Sequence, residues 1–148
     1  MRESKEGRMA ISRQDFTRVW EQRDVEAVRD IYAADFCGHG FPVPKTIGRA
    51  QYRRVVELFQ TAFPDCEIEL EEMYADDEFV YASWQFNGTH TGTVAGIPPS
   101  GADVSFSGHG RHRHERGEVV EVWLDAEWAS ILRQIGRGYL GTVPGVPS

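Results

Sequence analysis

Apolar residues recur at helical spacing through the first part of the chain and at every second position through most of the remainder. Ser12 and Asp15, three apart, read as a capping box opening a helix whose apolar stripe is Phe16, Val19 and Trp20. A second short helical pattern starts at Asp24 and places Val25, Val28, Ile31 and Tyr32 on one face. Gly38 to Pro44 holds two glycines and two prolines and predicts a loop. After Gly48 a third helix carries Tyr52, Val55, Val56, Phe59, Ala62 and Phe63, and Pro64-Asp65 stops it.

The period then becomes two. Cys66, Ile68 and Leu70 alternate with glutamates, and Val80, Ala82, Trp84 and Phe86 alternate with Tyr81, Ser83, Gln85 and Asn87. A third strand starts at Val104 and runs to about His114, and a turn at Arg116-Gly117 leads into a fourth from Val119 to Trp123. A short helix from Trp128 to Gln134 closes the pattern, with Gly136 as its expected cap. Helices followed by an antiparallel meander predict a segregated α+β domain: a sheet packed on three N-terminal helices. The expected limits are a loose extension over residues 1–11, one domain over 12–136 and a tail over 137–148.

Strand alternation then sorts the side chains. Trp84 and Phe86 face the helices, and the same parity along the third strand leads through Gly108 and Gly110 to His112 and His114. In the fourth strand Val120, Val122 and Leu124 are expected inward, with Val119, Glu121, Trp123 and Asp125 outward. The outward face also carries Tyr81, and a homodimer formed sheet to sheet would cover it.

Composition narrows the function. The 148 residues carry a net charge of -7 and no long basic run, which disfavours nucleic acid as a partner. No apolar run reaches membrane-spanning length, and the charged stretch 1–9 lacks a signal-peptide core, so a cytoplasmic protein with no membrane partner is expected. Cys37 and Cys66 show neither metal spacing nor a disulfide framework and are expected as small buried thiols.

Several segments together resemble a known family. They are Phe63-Pro64-Asp65, Gly88-Thr89-His90-Thr91-Gly92 and Gly96-Ile97-Pro98-Pro99-Ser100-Gly101. The ending agrees, with Gly117-Glu118-Val119-Val120-Glu121, Trp123 and Leu132-Arg133-Gln134-Ile135-Gly136. In order and spacing these resemble the SnoaL-like polyketide cyclases and their ester-cyclase-like relatives, in the nuclear-transport-factor-like superfamily. The resemblance implies a cone-shaped, cystatin-like α+β roll enclosing a hydrophobic small-molecule pocket, dimeric and without a cofactor. It also implies ring closure by aldol chemistry, in which one residue takes a proton from carbon while donors hold the enolate oxygen. The family's acid/base aspartate falls at Leu124, and its polar third-strand residues fall near Gly108 and Gly110. The first-loop asparagine falls at Gly38, next to a matching His39, and Glu127 stands where aspartate is usual.

His112 is the first candidate base or proton shuttle, with Glu127 and His39 as partners. The expected pocket wall comprises Trp20, Phe36, Phe59, Trp84 and Phe86 together with His114 and Leu124. His112 and His114 could chelate a metal with His39 or Glu127, but no supporting motif accompanies that spacing, so no metal is assigned. Three functions remain: a cyclase, isomerase or hydratase acting on a hydrophobic oxygenated small molecule, a binding domain that has lost the acid, or a dimerisation module whose pocket is vestigial.

Overall fold

In the computed structural model, which describes residues 4–93 and 96–140, the switch in apolar spacing at Cys66 is where the chain leaves its helices for a four-strand meander. Helix α1 spans Lys5–Gln14 and continues unbroken as a wider, π-type helix over Asp15–Glu21. A short 3-10 turn at Val25–Ala27 leads into α2, Val28–Ile31, then β1, Tyr32–His39, and α3, Arg49–Ala62. The meander comprises β2 (Glu67–Ala75), β3 (Phe79–Thr89), β4 (Asp103–Glu115) and β5 (Glu118–Ala126), and α4 (Trp128–Leu140) follows it.

The five strands form one mixed, unclosed sheet in the order β1-β5-β4-β3-β2. Neighbours pair antiparallel except β1 and β5, which run parallel with Cys37 opposite Glu121 and His39 opposite Trp123. The helices cover one face. Between them and the sheet the aromatic core interlocks, with Phe86 stacked on Phe106 at 4.8 Å and set edge-on to Phe59 and Phe63 at 5.7 and 5.3 Å. Burying each such ring contributes on the order of 2–3 kcal/mol.

Four local expectations are corrected. The first helix opens at Lys5, inside the segment expected to be an extension, because Ser4 Oγ accepts from the Gly7 N–H at 2.9 Å and caps it there. Ser12 and Asp15 therefore lie inside the helix and are buried. Tyr32–His39, expected as a helix end and a loop, is the edge strand β1, since its partner β5 is remote in sequence and no local pattern announces a parallel pairing. At the far end α4 runs through Gly136 to Leu140, so Gly136 is no cap. Residues 1–3 of the expected extension and 141–148 of the expected tail lie outside the described residues.

The fourth correction is a register shift. Arg113 pairs with Glu121, but His114 pairs with Val119, so Val120 is skipped as a bulge. Val119, expected outward, is fully buried, whereas Val120, expected inward, is only half-buried. The parity of β4 holds through its glycines, and His112 lies inward, opposite Val80 on one side and Val122 on the other. A Cβ at Gly108 would come within 2.3 Å of the Trp84 ring, so glycine is what lets the indole lie flat across β4.

Candidate functional site

The helices and the inner sheet face leave a cavity of about 70 Å³ between them. That is well below the roughly 300 Å³ at which drug-sized ligand pockets begin. Its walls are apolar, from Phe59, Trp84, Phe86 and Leu124 among others, apart from Asp15, His112 and the polar tips of Trp20, Tyr32 and Tyr52.

Asp15 opens the π-type stretch, and the same helix face carries Phe16 and Val19 into the core. A widened turn changes the direction in which successive side chains leave the helix, and such turns are frequent at functional sites. The carboxylate is only 6% exposed, and Oδ1 accepts a hydrogen bond from the Tyr52 hydroxyl at 2.8 Å. Tyr52 accepts in turn from the Trp20 indole N–H at 3.3 Å. Burial penalises the charged carboxylate and pushes its pKa up to about 6, while hydrogen bonds from Tyr52, Tyr32 and Trp20 hold it down. Both tyrosines are pushed well above their ordinary range by burial and remain donors. The cavity thus holds a carboxylate that changes protonation just below neutral pH.

His112 enters the same cavity from β4. Burial, and then its neighbour His114, push its pKa down to about 3, so the ring is neutral at physiological pH. His114 is pushed down to about 4 by burial and then by the charge of Arg8. The Ser12 hydroxyl joins the two rings, 2.8 Å from His112 Nδ1 and 2.9 Å from His114 Nε2. One hydroxyl has one proton, so it donates to one ring and accepts from the other.

Two buried atoms without hydrogen-bond partners, Arg8 Nη1 and His114 Nδ1, fix the direction. If His114 carries its proton on Nε2, its bare Nδ1 is an acceptor facing a positive charge. The opposite tautomer would bury an unpaired N–H beside Arg8, which costs more. His114 therefore donates to Ser12, and Ser12 donates to His112 Nδ1. His112 Nε2 then carries an N–H, and no hydrogen bond from it reaches another described residue. Arg8 is itself buried and held by donating to the Asp76 carbonyl at 2.6 Å.

Of the residues singled out in the sequence, Trp20, Phe59, Trp84, Phe86, Leu124 and His112 line the cavity. Phe36 is buried against Tyr32 and Tyr52, and His114 sits beside Ser12; both lie outside the lining. Glu127 is exposed near the start of α4, where Oε1 accepts from the Ser107 N–H at 2.8 Å and the backbone carbonyl receives Ser130 N–H at 3.0 Å. His39 is on the opposite sheet face, 2.7 Å from Glu121 Oε2 and stacked on Trp123. The structure therefore brings neither Glu127 nor His39 to His112. Cys37, expected as a buried thiol, is half-buried 3.7 Å from His39, whereas Cys66 is buried as expected.

Sequence reasoning missed Asp15 as a cavity residue. Its signal was present: a carboxylate at the spacing that puts Ser12, Phe16 and Val19 on one helix face is misplaced for a cap and costly in a core. Tyr52, also in an apolar stripe, was read as core without weight on its hydroxyl.

A family model described as SnoaL-like polyketide cyclase matches residues 10–135. Solved structures share the fold at low identity. A candidate SnoaL-like polyketide cyclase from Jannaschia sp. CCS1 is 18% identical, with a TM-score of 0.79 over 88% of this chain and 92% of that one. AclR, a candidate hydroxylase from Streptomyces galilaeus, is 23% identical with a TM-score of 0.79 over 98% of this chain and 87% of its own. IdmH, a candidate polyketide cyclase from Streptomyces antibioticus, is 21% identical with a TM-score of 0.74 over 87% and 98%. No curated protein matches the chain.

Proposed function

The chain belongs to the SnoaL-like polyketide cyclase family, and within it we propose an acid/base enzyme of the cyclase, isomerase or hydratase type, with Asp15 as the group that moves the proton. The carrying observation is a buried carboxylate held near the protonation midpoint of about 6 on the wall of an apolar cavity. By the resemblance the family's usual aspartate position falls at Leu124, which lines the same cavity. Asp15 presents a carboxylate from the helical wall instead.

In this reading a hydrophobic substrate with a carbonyl loses a proton from the adjacent carbon to Asp15. The developing oxyanion accepts from the neutral His112 Nε2–H, whose orientation Ser12 fixes through Nδ1. A neutral imidazole with so low a pKa is a poor base but a good fixed donor. Water exclusion comes from the apolar walls, which strengthen both interactions. A substrate needs more room than the cavity now has. Trp128, which lines it, is held by donating from Nε1 to the Gly40 carbonyl at 2.7 Å.

The test is deuterium wash-in. An aromatic 1,3-dicarbonyl compound in D₂O is followed by NMR with the wild type and with Asp15→Asn. Exchange at the acidic carbon should rise with pH through about 6 as Asp15 ionises. It should fall by at least about a hundredfold in the variant. Equal exchange in both proteins sinks the role of Asp15. Saturable binding with no exchange favours the second reading, a binding domain, which Leu124 at the acid position supports.

Assembly is part of the proposal. One register row crosses all five strands on the outer face, Tyr74, Tyr81, Arg111, Trp123 and His39. Tyr74 is 59% exposed, and the Arg111 guanidinium lies 4.5 Å from the Trp123 ring and 4.9 Å from that of Phe79. We propose that a second copy covers the part of this row from Tyr74 to Arg111 and leaves the β1 edge with His39 open; sedimentation of the wild type as a dimer and of Tyr74→Glu as a monomer would support it, and a wild-type monomer would overturn it. The described helices include none long and apolar enough to cross a membrane.

A further inference from the structure

We propose that Cys37, His39 and Glu121 form a binding site for a zinc-like divalent transition metal on the outer face of the sheet, away from the cavity. Among the described residues they bring a thiol sulfur, an imidazole nitrogen and a carboxylate oxygen within 4.8 Å of one another. Cys37 and His39 are two apart on β1 and share a face, and Glu121 stands directly opposite Cys37 in the parallel pairing with β5. Two paired strands therefore hold the three donors, and no loop contributes.

Two other readings of the cluster fit less well. A Cys-His-Glu nucleophile relay needs the thiol at one ring nitrogen and the carboxylate at the other. Here both approach Nε2, Cys37 Sγ at 3.7 Å and Glu121 Oε2 at 2.7 Å. Three different donor atoms within 4.8 Å of one another, two of them at the same ring nitrogen, fit chelation better than a relay. A plain His–Glu ion pair accounts for the oxygen but leaves the thiol unused.

The distances suit a tetrahedral ion. Ligand bonds of about 2.0–2.3 Å at tetrahedral angles separate S from N by roughly 3.6 Å and N from O by roughly 3.4 Å. The first is met already at 3.7 Å, the second needs the Glu121 carboxylate to withdraw by about 0.7 Å from its present hydrogen bond, and the sulfur and oxygen, within 4.8 Å, must settle at roughly 3.6 Å.

Outer contacts hold the donors in place. Arg113 donates to the other carboxylate oxygen, Oε1, from Nε at 3.3 Å and Nη2 at 3.1 Å, leaving Oε2 for the ion. The His39 ring stacks on Trp123 at 5.3 Å with the planes 6° apart, which fixes its rotation. Because β1 is an edge strand and the His39 side chain is 34% exposed, the site is reachable, and three protein donors leave a fourth position for water or a ligand. The mixed sulfur, nitrogen and oxygen set selects zinc or cobalt over magnesium or calcium.

The experiment titrates Co²⁺ alone into the reduced, chelator-treated full-length protein and follows thiolate-to-cobalt charge-transfer absorption. One equivalent per chain should bind, and Zn²⁺ should displace it. Cys37→Ser should remove the band and Cys66→Ala should leave it, with circular dichroism confirming that both fold. Glu121→Gln and His39→Gln should each weaken Zn²⁺ binding by at least about tenfold. Absence of a band in the wild type, its persistence in Cys37→Ser, or unchanged affinity in both other variants would overturn the site.

Discussion

Replacing Asp15 by Asn removes one titrating group and little volume, so it isolates the cost of a buried carboxylate. The folded pKa, about 6 against the ordinary 3.8, means the carboxyl favours the fold only while protonated. That stabilisation is complete below 3.8 and is lost as pH rises through 6. The full swing is 2.2 pH units, or about 3 kcal/mol. Between about pH 4.5 and pH 8, roughly 2 kcal/mol of it is expressed. His112 and His114 titrate in the opposite sense, their folded values lying below 6.5, so the stability present above 6.5 is lost as pH falls from there through about 4 and 3. They do so in the variant as well, and any fixed effect of the amide is independent of pH. The quantity to measure is therefore the difference between the two proteins in urea unfolding free energy at both pH values. Relative to wild type, the variant should gain about 2 kcal/mol on going from the lower to the higher pH. Parallel profiles, agreeing within about 0.5 kcal/mol, would mean that Asp15 ionises as it does in water and would remove the basis for its catalytic role.

Further outcomes follow from individual contacts. Tyr52→Phe removes the donor to Asp15 Oδ1; it should raise the pH of the acid limb of exchange and cost about 1–3 kcal/mol in thermal or urea unfolding. Ser12→Ala leaves both rings without the shared hydroxyl; ¹⁵N NMR should show a single tautomer at His112 in the wild type, protonated at Nε2, and a mixture in the variant. In Arg8→Met the charge facing His114 is lost, and the same spectra should show His114 moving its proton toward Nδ1 while the pKa of the ring rises. Gly108→Ala drives a methyl into the Trp84 ring; it should cost about 1–3 kcal/mol in unfolding and shift the tryptophan fluorescence as the indole is displaced.

The alternation of apolar and polar residues was enough to find β2 to β5, because period two is written locally and tested by each residue's own burial. It placed Trp84, Phe86 and His112 on the inner face, and the glycines at 108 and 110 did not disturb that parity. Helix α3 was legible for the same reason at a period of 3.6. Motif spacing carried the family assignment, since turn residues such as those around His90 and Gly101 are required locally by the backbone. Three things were settled by contacts remote in the chain, although Asp15 on an apolar helix face left a local trace. β1 exists because β5 offers it a parallel edge, and the Val120 bulge exists because strands β4 and β5 must meet out of step. The site itself depends on pairs far apart in the chain: Asp15 with Tyr52, Ser12 with His112, Cys37 with Glu121. Sequence states which groups are present, but a pKa or a donor's direction is set by what surrounds the group, and those surroundings exist only once the chain has folded.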